Sequence, residues 1–266
     1  MAQQVAPALH GSYSDEVGRH LFQVAASLTA LAGVCAYDAS RQALAQRYFV
    51  HALRMAKASG DRGLGGYVVA LMSNQAMSMS EYRRVIQYTN TALRGARGDL
   101  SPALRADLST MQARAFARMG DRPSCHAAMT EAETLAGVIR RGAEPEETSY
   151  VQEGLVEVQL SEALRQLDDL CAAEEYAMEA VSSAHLAHTR GQVHRYAGLA
   201  VIRAQRSRVD EALPAAWEML GRVSGMESGR LNDRVRSVRN ALDRRSAEPD
   251  VREFVEQADV HLGLVL

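Results

Sequence analysis

Few residues of this chain have the types and spacing that chemistry needs. His185 and His188 lie one helical turn apart, and with His194 on the next helix they could share a metal ion. Histidines in such places also cap helix ends or face solvent. Cys125 and His126 are adjacent, so on a helix their side chains point apart and form no nucleophile–base pair. The run DRGLGG at residues 61 to 66 has glycines but not the Lys-Ser/Thr of a phosphate loop, and no His-Glu-x-x-His occurs. The doublets Asp168-Asp169 and Glu174-Glu175 read as solvated helix faces, and Met72, Met77 and Met79 as core filler. What remains is chemistry of holding. Arg114 and Arg118, four apart on one helix face, can grip a carboxylate or phosphate, and Asn74 offers a donor and an acceptor to a peptide backbone. The sequence therefore points to binding, with no metal and no cofactor. A helical-repeat enzyme or accessory subunit stays as the alternative, and the histidine cluster is its one foothold.

Composition narrows the scaffold that must position these residues. Of 266 residues, 47% are hydrophobic and 23% charged, enough apolar surface for a packed core. Aromatics are only 5% and Pro only six, while Ala and Leu, strong helix formers, are abundant. Thirty basic against 32 acidic residues give a net charge of −2, which lacks the basic surplus of a nucleic-acid binder. Cys35, Cys125 and Cys171 are odd in number and widely spaced, as expected of a reducing compartment. The N-terminus MAQQVAPALHGSYSDE has no basic-then-apolar leader, and the stretch Leu21 to Tyr37 reads as short and interrupted for a membrane span. A cytoplasmic chain with no membrane partner is expected.

Self-similarity decides the architecture. The segments ending at Ala52-Leu53, Ala92-Leu93, Ala132, Ala180-Val181 and Met219-Leu220 align, and their spacing drifts around a constant period with one longer gap, between Ala132 and Ala180. Each is preceded by a second helical segment with a small residue near its middle: Gly33, Ser73, Ala113, Ser161, Ala200. Such residues let two helices approach closely. Gly-bearing links such as Ser59-Gly60-Asp61 separate the units, and Val138 to Thr148, with Gly142 and Pro145, reads as an inserted loop that explains the longer gap. The expectation is one domain over 1–266: about five helix pairs across 14–225, the insertion near 138–148, and charged capping helices over 226–266.

The small residues Gly33, Ala45 and Ala52 in the first unit, and Ala200 and Ala212 in the fifth, resemble the tetratricopeptide repeat. The usual Trp and Pro of that family are missing, the units are longer than its standard repeat, and Val85 and Cys125 stand where Ala is expected. The resemblance implies an all-α right-handed superhelix of antiparallel helix pairs, an α-solenoid whose first helices line a concave groove. In the family's register the inward positions are Tyr37, Asp38, Tyr67, Asn74, Met77, Asp107, Arg114, Arg118, Glu162, Arg165 and His194. They would hold a peptide, a partner protein or a small effector, or else be solvated surface balanced by Asp107 and Glu162.

The stretch from Val5 to Ala76, above all Gly18-Arg19, Leu31-Ala32-Gly33, Tyr37-Asp38 and Leu44 to Phe49, also resembles the C-terminal region of actinobacterial transcriptional regulators that join a Cro/C1-type helix-turn-helix to tetratricopeptide repeats. The likeness fades beyond about residue 135. It implies a sensor or protein-interaction role in transcription regulation, with homodimerisation among the tasks of the repeats. No helix-turn-helix precedes the repeats here. The reading is therefore the sensor part of such a regulator or a stand-alone relative, and direct nucleic-acid binding is not carried over.

Overall fold

The computed structural model describes residues 11–96, 98–140, 142–183, 188–243 and 248–264. Among them are twelve α-helices, one short 3-10 turn and no strand. The helices are α1 (Asp15–Asp38), α2 (Gln42–Ser59), α3 (Arg62–Ser78), α4 (Tyr82–Gly95), α5 (Pro102–Met119), α6 (Arg122–Ala136), α7 (Leu155–Gln166), α8 (Leu170–Ser182), α9 (Thr189–Gln205), α10 (Val209–Val223), α11 (Gly229–Asp243) and α12 (Pro249–His261). Two compact units share them, residues 1–115 with 126–151 and residues 116–125 with 152–266.

One turn recurs at the top of five successive pairs. Ser40, Ser80, Gly120, Asp168 and Ser207 each take a left-handed backbone, with φ of 59°, 60°, 77°, 64° and 63°. In each turn the next N–H donates to a carbonyl five positions back. The bonds are Arg41 to Ala36 (2.8 Å), Glu81 to Ala76 (2.9 Å), Asp121 to Phe116 (3.0 Å), Asp169 to Leu164 (3.0 Å) and Arg208 to Arg203 (2.9 Å). This closure caps the orphan carbonyls of the first helix and reverses the chain at once. Only one of the five has glycine, so four pairs accept a left-handed Ser or Asp at a cost of about 1 kcal/mol each. Links between pairs use side-chain caps instead. Asp61 Oδ1 accepts from Leu64 N at 2.8 Å after the left-handed Gly60.

Small residues set the spacing of the helices. Gly33, Ser73, Ala113, Ser161 and Ala200 in the first helices are all buried, as are Ala52, Ala92, Ala132, Ala180 and Met219 in the second. In the first unit α1 packs on α2, α2 on α3, α3 on α4, and α1 also touches α3. In the second, α7 pairs with α8, α9 with α10 and α11 with α12. There α7 touches α9, α9 touches α11, and α10 touches α12. First helices thus lie beside first helices, as a stack of hairpins requires.

The C-terminal helices are more than the polar cap expected from their charge. Leu231, Val235, Val238 and Leu242 bury one face of α11, and Phe254 of α12 meets Trp217 of α10 edge-on at 5.2 Å. Arg239 on α11 grips Asp259 on α12 through two bonds of 3.0 and 3.1 Å. The pair continues the stack as a further hairpin.

Helix α1 begins at Asp15, earlier than the apolar run from Leu21 suggests. Its 24 residues, with mean hydropathy 1.3, are long and apolar enough by composition to cross a membrane. Here it buries Ala25, Ala26, Ala30, Gly33 and Ala36, while Val17, Val24 and Leu31 stand 49%, 58% and 56% exposed.

Gly33 is the tightest of the small packing positions. A Cβ there would lie 2.5 Å from Cε1 of Phe49, a ring with no exposed surface and no room to move. The substitution Gly33→Ala is expected to cost about 1–3 kcal/mol through overpacking, read as a lower urea midpoint. Ala at the exposed Gly65, where no atom lies within 4 Å, serves as the contrast and should leave the midpoint unchanged or raised.

Candidate functional site

In the first unit the chain covers part of its own first-helix face. Residues 137–151 leave α6 and return across α3 and α5. Glu144 Oε2 accepts from Ala103 N at 3.4 Å at the start of α5, and the 3-10 turn Glu146–Thr148 touches α3. Tyr150 then donates its hydroxyl to Asp107 Oδ2 at 2.7 Å, and its ring lies 6.0 Å from that of Tyr67. Two residues given to a ligand on sequence grounds, Tyr67 and Asp107, are therefore engaged by the insertion.

Desolvation marks this contact. Asp107 is 2% exposed, and burial raises its carboxyl to about 6, against the Tyr150 hydrogen bond and the Arg114 charge that pull it down. Burial likewise pushes the Tyr150 hydroxyl well above its usual value, helped by Asp107, and raises Tyr67, helped by Glu147.

The other predicted residues on α1, α3 and α5 serve packing in part. Tyr37 is buried and donates its hydroxyl to the Asn74 carbonyl at 3.3 Å, tying the end of α1 to α3. Met77 lies in a core with Val85, Ala92 and Leu108. Asp38, Asn74 and Arg114 are partly buried on α1, α3 and α5. Arg118, one turn beyond Arg114, is exposed near the end of α5.

In the second unit, side chains of α7, α9 and α11 converge. Arg234 on α11 donates Nε to Nδ1 of His194 on α9 at 3.1 Å, and its Nη2 reaches Oε2 of Glu162 on α7 at 3.4 Å. Arg190, one turn before His194, donates Nη2 to the buried Ser228 hydroxyl at 3.0 Å, at the start of α11. Burial drives the His194 imidazole well below its ordinary 6.5; Arg234, Arg230 and Arg190 push the same way and Glu162 opposes them. Arg165 sits one turn along α7 from Glu162, partly buried. Two of the three groove residues expected here, Glu162 and His194, thus meet in one network.

Arg190, Arg230 and Arg234 were not singled out from the sequence. The signal was present: Arg230 and Arg234 repeat the i, i+4 spacing of Arg114 and Arg118, but in the segment read as a cap. They also stand one repeat period after Arg190 and His194.

The chemistry weighed at the outset disperses. His185 lies outside the described residues, His188 contacts Gln152, and His194 has its Nδ1 lone pair taken by a guanidinium. Cys125 is buried and His126 exposed; burial and Asp121 raise that thiol to about 11. Residues 61 to 66 open α3, where Gly66 packs against Leu100.

One expectation is overturned. Glu174 is no solvated doublet member but 3% exposed, because Arg203, Arg206 and Arg208 enclose it. Its Oε1 accepts from Arg203 Nε at 2.9 Å and its Oε2 from Arg208 Nη1 at 2.9 Å. Burial alone would raise this carboxyl; the arginine hydrogen bonds and charges reverse that and hold it below its usual range. The cluster edges a pocket of about 380 Å³ lined also by Cys171, Met178 and Glu211. It fastens α8 to the turn around Ser207.

Comparison with protein-family models and with curated proteins finds no match to this chain.

The Asp107 contact fixes a pH dependence. Its folded value, about 6, lies above the ordinary 3.8, so the folded chain holds this proton more tightly than the unfolded one. The stability so gained is present below pH 4 and lost as pH rises through 6, about 3 kcal/mol in all. Asp107→Asn keeps an acceptor for Tyr150 and removes the titration. Urea unfolding should find the variant more stable than wild type at pH 7.5 by about 1–3 kcal/mol, with the wild-type slope between pH 4 and 6 flattened. An unchanged slope refutes the assignment.

Proposed function

We propose that this chain is a binding module of the tetratricopeptide type. Its stacked hairpins form an α-solenoid that holds a partner on the polar face of the first helices. The observation that carries this reading is the convergence of Glu162, His194 and Arg234 from three consecutive first helices. A single helix offers one line of side chains. Hairpins stacked side by side bring one line beside the next, which makes a surface wide enough for a peptide, a partner protein or a small effector. Charged groups gathered there are desolvated against each other, which favours a partner of complementary charge and disfavours others.

The regulator likeness of the stretch from Val5 to Ala76 supports a sensory role in bacterial transcription control. The repeats would then sense or transmit a signal, and chemistry would lie elsewhere. The insertion laid over Tyr67 and Asp107 leaves the face of α7, α9 and α11 as the better seat for a partner.

The test uses the tagged full chain expressed in its native bacterium, with partners captured by cross-linking. Arg230→Gln with Arg234→Gln should lower recovery of a specific partner at least tenfold while the circular dichroism of the chain is kept. Arg62→Gln, a largely exposed residue of α3, should leave recovery unchanged. A partner retained equally by all three chains contradicts the reading.

A further inference from the structure

Unit 2 builds two clusters of three arginines, and they differ at the centre. Around Glu174 the guanidinium groups of Arg203, Arg206 and Arg208 close on a carboxylate supplied by the chain itself. Around His194, Arg190, Arg230 and Arg234 act on an imidazole instead. Of the charged groups acting on that ring, three are positive and one, Glu162, is negative. That single carboxylate sits to one side, 3.4 Å from Arg234.

Geometry orders this second cluster. Arg190 and His194 are one turn apart on α9, and Arg230 and Arg234 one turn apart on α11. The two pairs are offset by one repeat period, and α9 packs on α11. Two rows of donors therefore run side by side. Ser228 holds Arg190 toward the start of α11, and His194 holds Arg234 toward α9. Both rows lie in the opening turns of their helices, where the backbone dipole adds to the same sign.

We propose that Arg190, Arg230 and Arg234 form an oxyanion site, and that its ligand is the phosphate monoester group of a small effector. The proposal rests on reading the first-helix face as the binding surface. A phosphate dianion matches the surplus of two positive charges and presents oxygens to several guanidinium forks at once, where a carboxylate offers two oxygens and one charge. Glu162 would be the group that such a ligand must outcompete for Arg234, and its presence selects for a doubly charged anion.

The probe is inorganic phosphate, titrated into the full chain at constant ionic strength by calorimetry, with succinate and chloride as competitors. The expected result is one saturable site with at least tenfold preference over succinate. Arg230→Gln with Arg234→Gln should abolish it. Glu162→Gln should tighten it, a gain that a damaged fold does not produce. Arg206→Gln, in the Glu174 cluster, should leave it unchanged. Hexose phosphate and phosphoserine, used in place of phosphate, should compete for the same site. Absence of saturable binding, equal affinity for succinate, or loss in the Arg206 variant but not in the Arg230/Arg234 variant overturns the proposal. A chain that ignores phosphate yet loses its captured partner in the Arg230/Arg234 variant overturns the ligand alone and leaves the binding-module reading intact.

Discussion

The rest of this protein depends on how closely paired helices approach. A helix pair cannot shield its apolar face alone, so pairs must stack, and stacking works only where side chains at the contact are small. Gly33 against Phe49 is the limiting case, with a gap too narrow for one methyl group. Ala45, Val85, Cys125, Ala173 and Ala212 fill the corresponding place in the second helices, all with no exposed surface. Volume at these positions is constrained, while chemical type is not, which is why a cysteine or a valine serves where alanine is usual.

That constraint reaches the candidate site. His194 and Arg234 belong to helices one repeat period apart in sequence, and they meet because α9 and α11 pack closely side by side. The desolvation of His194 is a product of packing, and so is the orientation of the arginines around it. The Glu174 cluster does related work elsewhere on the same hairpins. It binds α8 to the α9–α10 turn and so fixes the position from which α9 presents His194.

The repeat, the helical class and the small packing residues were legible in the sequence, because period and residue size are local properties. The common hairpin turn was not. A left-handed glycine announces itself, as at Gly120, whereas Ser40, Ser80, Asp168 and Ser207 adopt the same backbone without that signature. Charge also misled. Glu174 looks solvated beside Glu175 until Arg203, Arg206 and Arg208, from the next hairpin, arrive around it. The polar residues of α11 suggested a cap, yet its other face carries Leu231, Val235 and Val238 into the core. Tyr150 could not be placed at all, since the path of an irregular segment across Asp107 is set by tertiary contacts and by no periodicity.

The most direct test of this account is the titration of His194 by NMR. If α7, α9 and α11 stack as described, the imidazole stays neutral well below the ordinary value of about 6.5, because burial and three guanidinium groups oppose its proton. Its ring signals should then show no titration step between pH 7.5 and 5.5. A normal step near 6.5 would mean that the ring is solvated and the arginines do not converge on it, and the stacked first-helix face would have to be abandoned.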